Sequence, residues 1–193
     1  MVPLNVPNVL TVMRILLVPV LVVALLAKTD NGDLLAAVVF ALASVTDALD
    51  GRLARSRNSV TTFGKLMDPI ADKLLIVAAL VALVSLNRLE AWVAMVIIAR
   101  EFAVTVLRAA AGAQQGVVIS ASPFGKLKTV AQVLMVMALI AVGGRPVWVS
   151  VLVYVTVAVT VLSGLDYFFG LRRRLADAAA ARSGSAPPPP AES

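Results

Sequence analysis

Six apolar stretches, at residues 9–27, 33–49, 66–86, 91–109, 126–143 and 147–167, occupy most of this chain of 193 residues. Each approaches the roughly 20 residues that a helix needs to cross a hydrocarbon layer. A backbone in lipid has no water for its N–H and C=O groups, so it must be helical or a closed barrel. The alternating ten-residue pattern of barrel strands is absent from the sequence. The prediction is an all-α fold, a polytopic membrane bundle of six transmembrane helices. The stretch 9–27 carries Arg14 and Pro19 inside its apolar run and is followed by similar stretches, so it reads as a retained first span and not as a cleaved signal.

Charge orients the bundle. Arg52, Arg55, Arg57, Lys65, Arg108, Lys126, Lys128, Arg172, Arg173, Arg174 and Arg182 flank alternate connections or the tail, whereas the opposite connections hold only Lys28, Arg88 and Arg145. By the positive-inside rule, both termini and the 50–65 and 109–125 loops are expected in the cytoplasm. The net charge of +6 comes from basic residues scattered between apolar runs, without aromatic interleaving or a basic face, so a nucleic-acid partner is not expected. Residues 1–171 are expected to form the transmembrane domain. Residues 172–193 turn basic, then rich in alanine and proline, and are expected to be a disordered cytoplasmic tail.

The chain has no cysteine and no histidine. Acid–base and metal chemistry must therefore fall to carboxylates. Four of these stand where lipid should discourage them, with Asp47 and Asp50 ending the second apolar segment and Asp68 and Asp72 opening the third. An ionised aspartate near a helix centre costs roughly 2.5–3.5 kcal/mol on insertion scales, less toward the interface, so something must compensate the cluster. The spacings are i, i+3 and i, i+4, which put each pair on one face of its helix. Four convergent carboxylates would make a hard oxygen site suited to Mg²⁺ or Mn²⁺ and able to bridge two ions. On the plainer reading the same acids form salt bridges with Lys65, Lys73, Arg52 and Arg55. Gly51, Ala54 and Gly64 are small enough for a nucleotide or a neighbouring helix to approach, and Arg55 offers a planar fork for a phosphate. Pro69 is expected in the first turn of the third helix, where a proline costs little.

From Asp47 the chain reads D-x2-D-G-x2-A-R-x8-G-x3-D-x3-D, with Gly51, Ala54, Arg55 and Gly64 at the fixed positions. Every position resembles the signature of the CDP-alcohol phosphotransferase family. The resemblance implies that Asp47, Asp50, Asp68 and Asp72 hold two divalent metal ions. It also implies that Asp72 is the general base, and that Gly51, Ala54, Arg55 and Gly64 lie against the CDP-activated lipid. Asn8 and Thr11, with Arg14, would contact the cytidine or diphosphate, although Asn8 also fits a helix N-cap.

Three further segments, Asn5 to Arg14, Ala99 to Arg108 and Phe124 to Gln132, look like the phosphatidylglycerophosphate synthase branch of that family. The resemblance then implies phosphatidyl transfer from CDP-diacylglycerol to sn-glycerol 3-phosphate, in a bacterial plasma membrane with the site facing the cytoplasm, by a homodimer. A dianionic acceptor needs cations, and Arg100, Arg108, Lys126 and Lys128 are the candidates for its phosphate. The alternatives are another acceptor, inositol phosphate or phosphatidylglycerol, and a cation-coupled transporter, since buried ionisable residues also mark ion pathways.

Overall fold

A computed structural model describes residues 6–27, 29, 31–57, 62–115 and 123–184; side chains at 6–8, 10, 47–57, 62–72, 111–115, 123–124, 171 and 174–184 lie outside that description. Among the described residues the chain is helical throughout: α1 (Val6–Leu26), α2 (Gly32–Arg57), α3 (Thr62–Ser85), α4 (Ala91–Gln115), α5 (Pro123–Val142) and α6 (Val147–Gly184). The six apolar segments each lie on one helix, and several helices outlast their segment. α2 runs eight residues past Leu49, so Asp47, Asp50, Gly51, Ala54 and Arg55 are all on continuous helix. α3 starts before Leu66, which places Pro69 inside the helix and not in its first turn. α1 starts at Val6, so Asn8 falls inside that helix and is not its N-cap.

α6 departs further from expectation. The stretch from Arg172, expected to be disordered, continues the helix as far as Gly184. The physical reason is composition. Leu175, Ala176 and Ala178 to Ala181 are strong helix formers that add one backbone hydrogen bond per residue to a helix already nucleated by α6. Gly184 is the last described residue of that run, and the rest of the expected tail, 185–193, lies outside the described residues.

The helices alternate in direction, so that the starts of α2 and α4 meet the residues that follow α3 and α5 at one end. At one end Arg88, in the turn after α3, makes a bidentate pair with Asp33 at the start of α2, both contacts 2.8 Å, and also donates to the Ile140 carbonyl near the end of α5. Gly143 follows α5 at φ +65°, and a Cβ there would stand 3.3 Å from the Asp33 carboxylate. Glycine therefore serves both the left-handed turn and the close approach. Glu90, opening α4, pairs with Arg145 in the α5–α6 connection.

Beside this end lies the apolar core, with Leu21 and Leu25 of α1, Phe40 of α2, Leu80 and Leu83 of α3, Ile97 of α4, Met135 and Leu139 of α5, and Val153 of α6. The buried polar residues occupy the other half: Thr11 and Arg14 near the start of α1, Glu101 in α4, Lys128 and Gln132 near the start of α5, and Thr156, Thr160 and Ser163 in α6. The outer surface carries many large apolar side chains. Leu16, Val23, Leu34, Met95, Val106 and Leu134 are each more than half exposed. A soluble monomer rarely shows apolar surface on every helix. Two stretches, Gly125–Val142 and Val147–Gly170, are long and apolar enough to cross a membrane among the described residues.

The Arg145 hydrogen bond holds the Glu90 carboxyl below its ordinary value, against a smaller upward push from burial. A lowered folded pKa stabilises at pH above the unfolded value, about 4.3, and that contribution is lost as pH falls through the folded value. The gap in melting temperature between wild type and Glu90→Gln is therefore expected to be largest above about pH 4.3 and to close in more acidic detergent solution. A gap that stays constant to the acid limit would show that the charged pair adds nothing.

Candidate active site

The polar half is built around one carboxylate. Glu101 is only 2% exposed, and Lys73 of α3 reaches its Oε2 at 2.9 Å. Lys128 of α5, itself buried, pairs with Oε1. The Gln132 amide donates to Oε1 at 3.4 Å and lies at the same distance from the Thr160 hydroxyl of α6. Arg100, one residue earlier on α4, places Nη1 3.4 Å from Oε1. Three cations from three helices thus converge on a single acid, and α6 joins them through Thr160. A buried ion with several donors is stable only because each partner is satisfied. Removing one partner leaves the others as uncompensated buried charge.

Arg100 extends beyond this centre to α6, where its Nη2 donates to the Ser163 hydroxyl at 2.8 Å. Its Nε is buried without a hydrogen-bond partner among the described residues. Two turns along α4, the Arg108 guanidinium lies over the Tyr167 ring, 5.5 Å from the centroid, and the Tyr167 hydroxyl is also buried with no partner among the described residues. Lys126 is exposed, two residues before the buried Lys128. The four cations proposed for an acceptor phosphate therefore differ in kind. Arg100 is mostly buried with a donor to spare, Arg108 and Lys126 are at the surface, and Lys128 is committed to Glu101.

The aspartates are placed by backbone alone. Asp47 and Asp50 lie on α2, and Asp68 and Asp72 on α3, at the end of those helices that borders the polar half. Their side chains, and those of Gly51, Ala54, Arg55 and Gly64, fall outside the described residues, as does Asn8. Lys73, next in sequence to Asp72, ties this part of α3 to Glu101. Thr11 and Arg14, one turn apart on α1, are buried at 3% and 4% exposure in the same half, so α1 contributes polar groups to this end and apolar ones to the other.

A family model described as CDP-alcohol phosphatidyltransferase matches residues 4–162, which hold both aspartate pairs, Glu101 and Lys128. The chain belongs to the CDP-alcohol phosphatidyltransferase family. Among its relatives, a protein of Bacillus subtilis (strain 168) named CDP-diacylglycerol--glycerol-3-phosphate 3-phosphatidyltransferase is 42% identical over 182 residues, covering 85% of this chain and 93% of the relative. Proteins of the same name from Rickettsia felis and Haemophilus influenzae are 35% and 33% identical, covering 85% and 84% of this chain and 93% and 91% of their own lengths.

Sequence reasoning found the motif of this phosphatidyltransferase but not its Glu101 centre, nor Ser163 and Tyr167. One signal was available for the first, since Glu101 interrupts an apolar run with an acid. Its lysine partners lie 28 positions before and 27 after, which no local pattern connects. Glu101→Ala is expected to lower the unfolding free energy by about 3–5 kcal/mol, measured by denaturation in detergent, because Lys128 and Lys73 lose their common partner. An alanine variant as stable as wild type would mean that water or another acid compensates those lysines.

Proposed function

We propose that this protein transfers a phosphatidyl group from CDP-diacylglycerol to sn-glycerol 3-phosphate, yielding phosphatidylglycerophosphate and CMP. One observation carries the reading: the family's carboxylate motif and a set of buried and half-buried cations occupy the same end of the bundle. Acids there suit a metal-bound diphosphate, and cations suit a second, dianionic substrate. The relatives named for this reaction, matched over most of their length, support the choice of acceptor.

The donor set fits divalent metal. Asp47, Asp50, Asp68 and Asp72 offer hard oxygen ligands from two consecutive helices, and the chain has no histidine or cysteine to favour a softer ion. These four residues would hold two cations, Mg²⁺ or Mn²⁺. Metal held there would supply positive charge to offset the diphosphate and the departing CMP. Gly51, Ala54 and Gly64 give the nucleotide close access to the backbone, and Arg55, with Asn8, Thr11 and Arg14 of α1, binds the diphosphate and cytidine. Arg100, Arg108 and Lys126 hold the acceptor phosphate, to which the paired Lys128 adds its field. Asp72 takes the proton of the acceptor hydroxyl as its oxygen bonds to the β-phosphorus, and the bond from that phosphorus to the CMP oxygen breaks.

All six helices lie in the bilayer on this reading, with both termini and the polar half at the cytoplasmic face and the protein paired as a homodimer in a bacterial plasma membrane. The exposed apolar faces and the charge asymmetry of the loops support that placement.

Purified protein is expected to release CMP only when glycerol 3-phosphate is present, to stop in chelator, and to resume when Mg²⁺ or Mn²⁺ is restored. Asp72→Asn is expected to lower the rate roughly 10²–10⁴-fold, the usual worth of general acid–base catalysis. Incorporation of inositol phosphate or phosphatidylglycerol, with none of glycerol 3-phosphate, would overturn the acceptor.

A further inference from the structure

The path of Arg100 depends on what α6 lacks. Its side chain crosses α6 at Gly164, where an added Cβ would stand 3.3 Å from Arg100 Cγ and 3.6 Å from Nε. The first distance is tighter than ordinary van der Waals contact, and the atom concerned is near the root of the side chain, where it cannot swing away as a terminal group can. The neighbouring Ser163 is 1% exposed. Its hydroxyl donates to the Thr160 carbonyl at 3.1 Å, which turns its lone pairs toward the Arg100 Nη2 at 2.8 Å. Thr160 in turn meets Gln132 of the Glu101 centre. Gly164 thus gives the arginine room, and Ser163 fixes the angle of its fork.

A guanidinium carries five N–H donors in a rigid plane, so fixing one edge fixes the other. Nη2 is held by Ser163, Nη1 lies at long range from Glu101, and Nε is buried with no partner among the described residues. Buried donors left unmet in a folded protein call for an acceptor. One turn further along α6, Tyr167 sits under Arg108 with its hydroxyl in the same condition. Positions 163, 164 and 167 share one face of α6, and that face meets both arginines of α4.

We propose that Ser163 and Gly164 of α6 are positioning residues for the acceptor: they seat Arg100 so that its guanidinium meets the acceptor's phosphate, and the absence of a side chain at 164 is what allows it. The inference rests on the reading of Arg100 as a ligand of that phosphate.

The test measures CMP release against glycerol 3-phosphate and, separately, against CDP-diacylglycerol, for wild type and for Arg100→Ala, Gly164→Ala, Gly164→Val and Ser163→Ala. Gly164→Ala and Ser163→Ala are each expected to raise the KM for glycerol 3-phosphate by about tenfold, the worth of one hydrogen bond to a charged group, with the KM for CDP-diacylglycerol unmoved. Gly164→Val is expected to exceed Gly164→Ala. The higher helix propensity of alanine offsets part of the cost of crowding Arg100, so the melting temperature of Gly164→Ala is expected to fall only slightly. If Arg100→Ala leaves the KM for glycerol 3-phosphate intact, the reading of Arg100 itself fails. If Arg100→Ala raises that KM but both Gly164 variants and Ser163→Ala do not, the seat on α6 fails and the reading of Arg100 stands. Equal rises in both KM values, or a loss of kcat alone, would reduce α6 to a packing role and overturn the proposal.

Discussion

A single carboxylate organises the polar half of this molecule. Glu101 sits inside a helix bundle where an unpaired charge would be intolerable, and it is tolerated because lysines from α3 and α5 and an arginine from its own helix surround it. The same contacts fix where those three helices stand relative to one another. Apolar packing is not directional, so it would permit small slides of α3 against α4 and α5. An acid with two lysines on two other helices does not permit them without separating charge. The register of α3 matters because Lys73 follows Asp72 directly, so the anchor and the last aspartate of the motif move together.

The bundle is divided along its length. One half is filled by leucine, isoleucine, valine and phenylalanine and closed by the Asp33–Arg88 and Glu90–Arg145 pairs. The other holds almost every buried polar side chain and receives the ends of α2 and α3 that carry the aspartates. The first half gives a rigid base, and the second carries groups that have to meet substrates. Because successive helices alternate in direction, residues far apart in sequence arrive at the same level, as with Thr11, Glu101, Lys128 and Ser163.

Much of this was legible in the chain, for identifiable reasons. Apolar length locates a helix well, and each of the six segments lies on one. It locates helix ends badly, because a helix needs only its own hydrogen bonds to continue once lipid-like sequence stops. Hence α2 outlasts Leu49 and α6 passes Arg172 to reach Gly184. The aspartate pairs were legible because their spacing is local and their burden in lipid is large. Glu101 offered only the weak signal of an acid inside an apolar run, since its partners become neighbours only after three helices pack. Gly164 carried no signal at all, because its importance lies in a side chain from another helix that passes over it.

The apolar half has one more consequence. Among the described residues, packed apolar side chains from all six helices stand between the Glu101 centre and the Asp33–Arg88 end, with no file of polar groups joining the two. With the bundle placed in a bilayer as proposed, ions that reach the charged end would meet this apolar half before the opposite face. A protein of this build can gather several fixed charges at one face of a lipid barrier while the electrochemical gradient across that barrier stays intact.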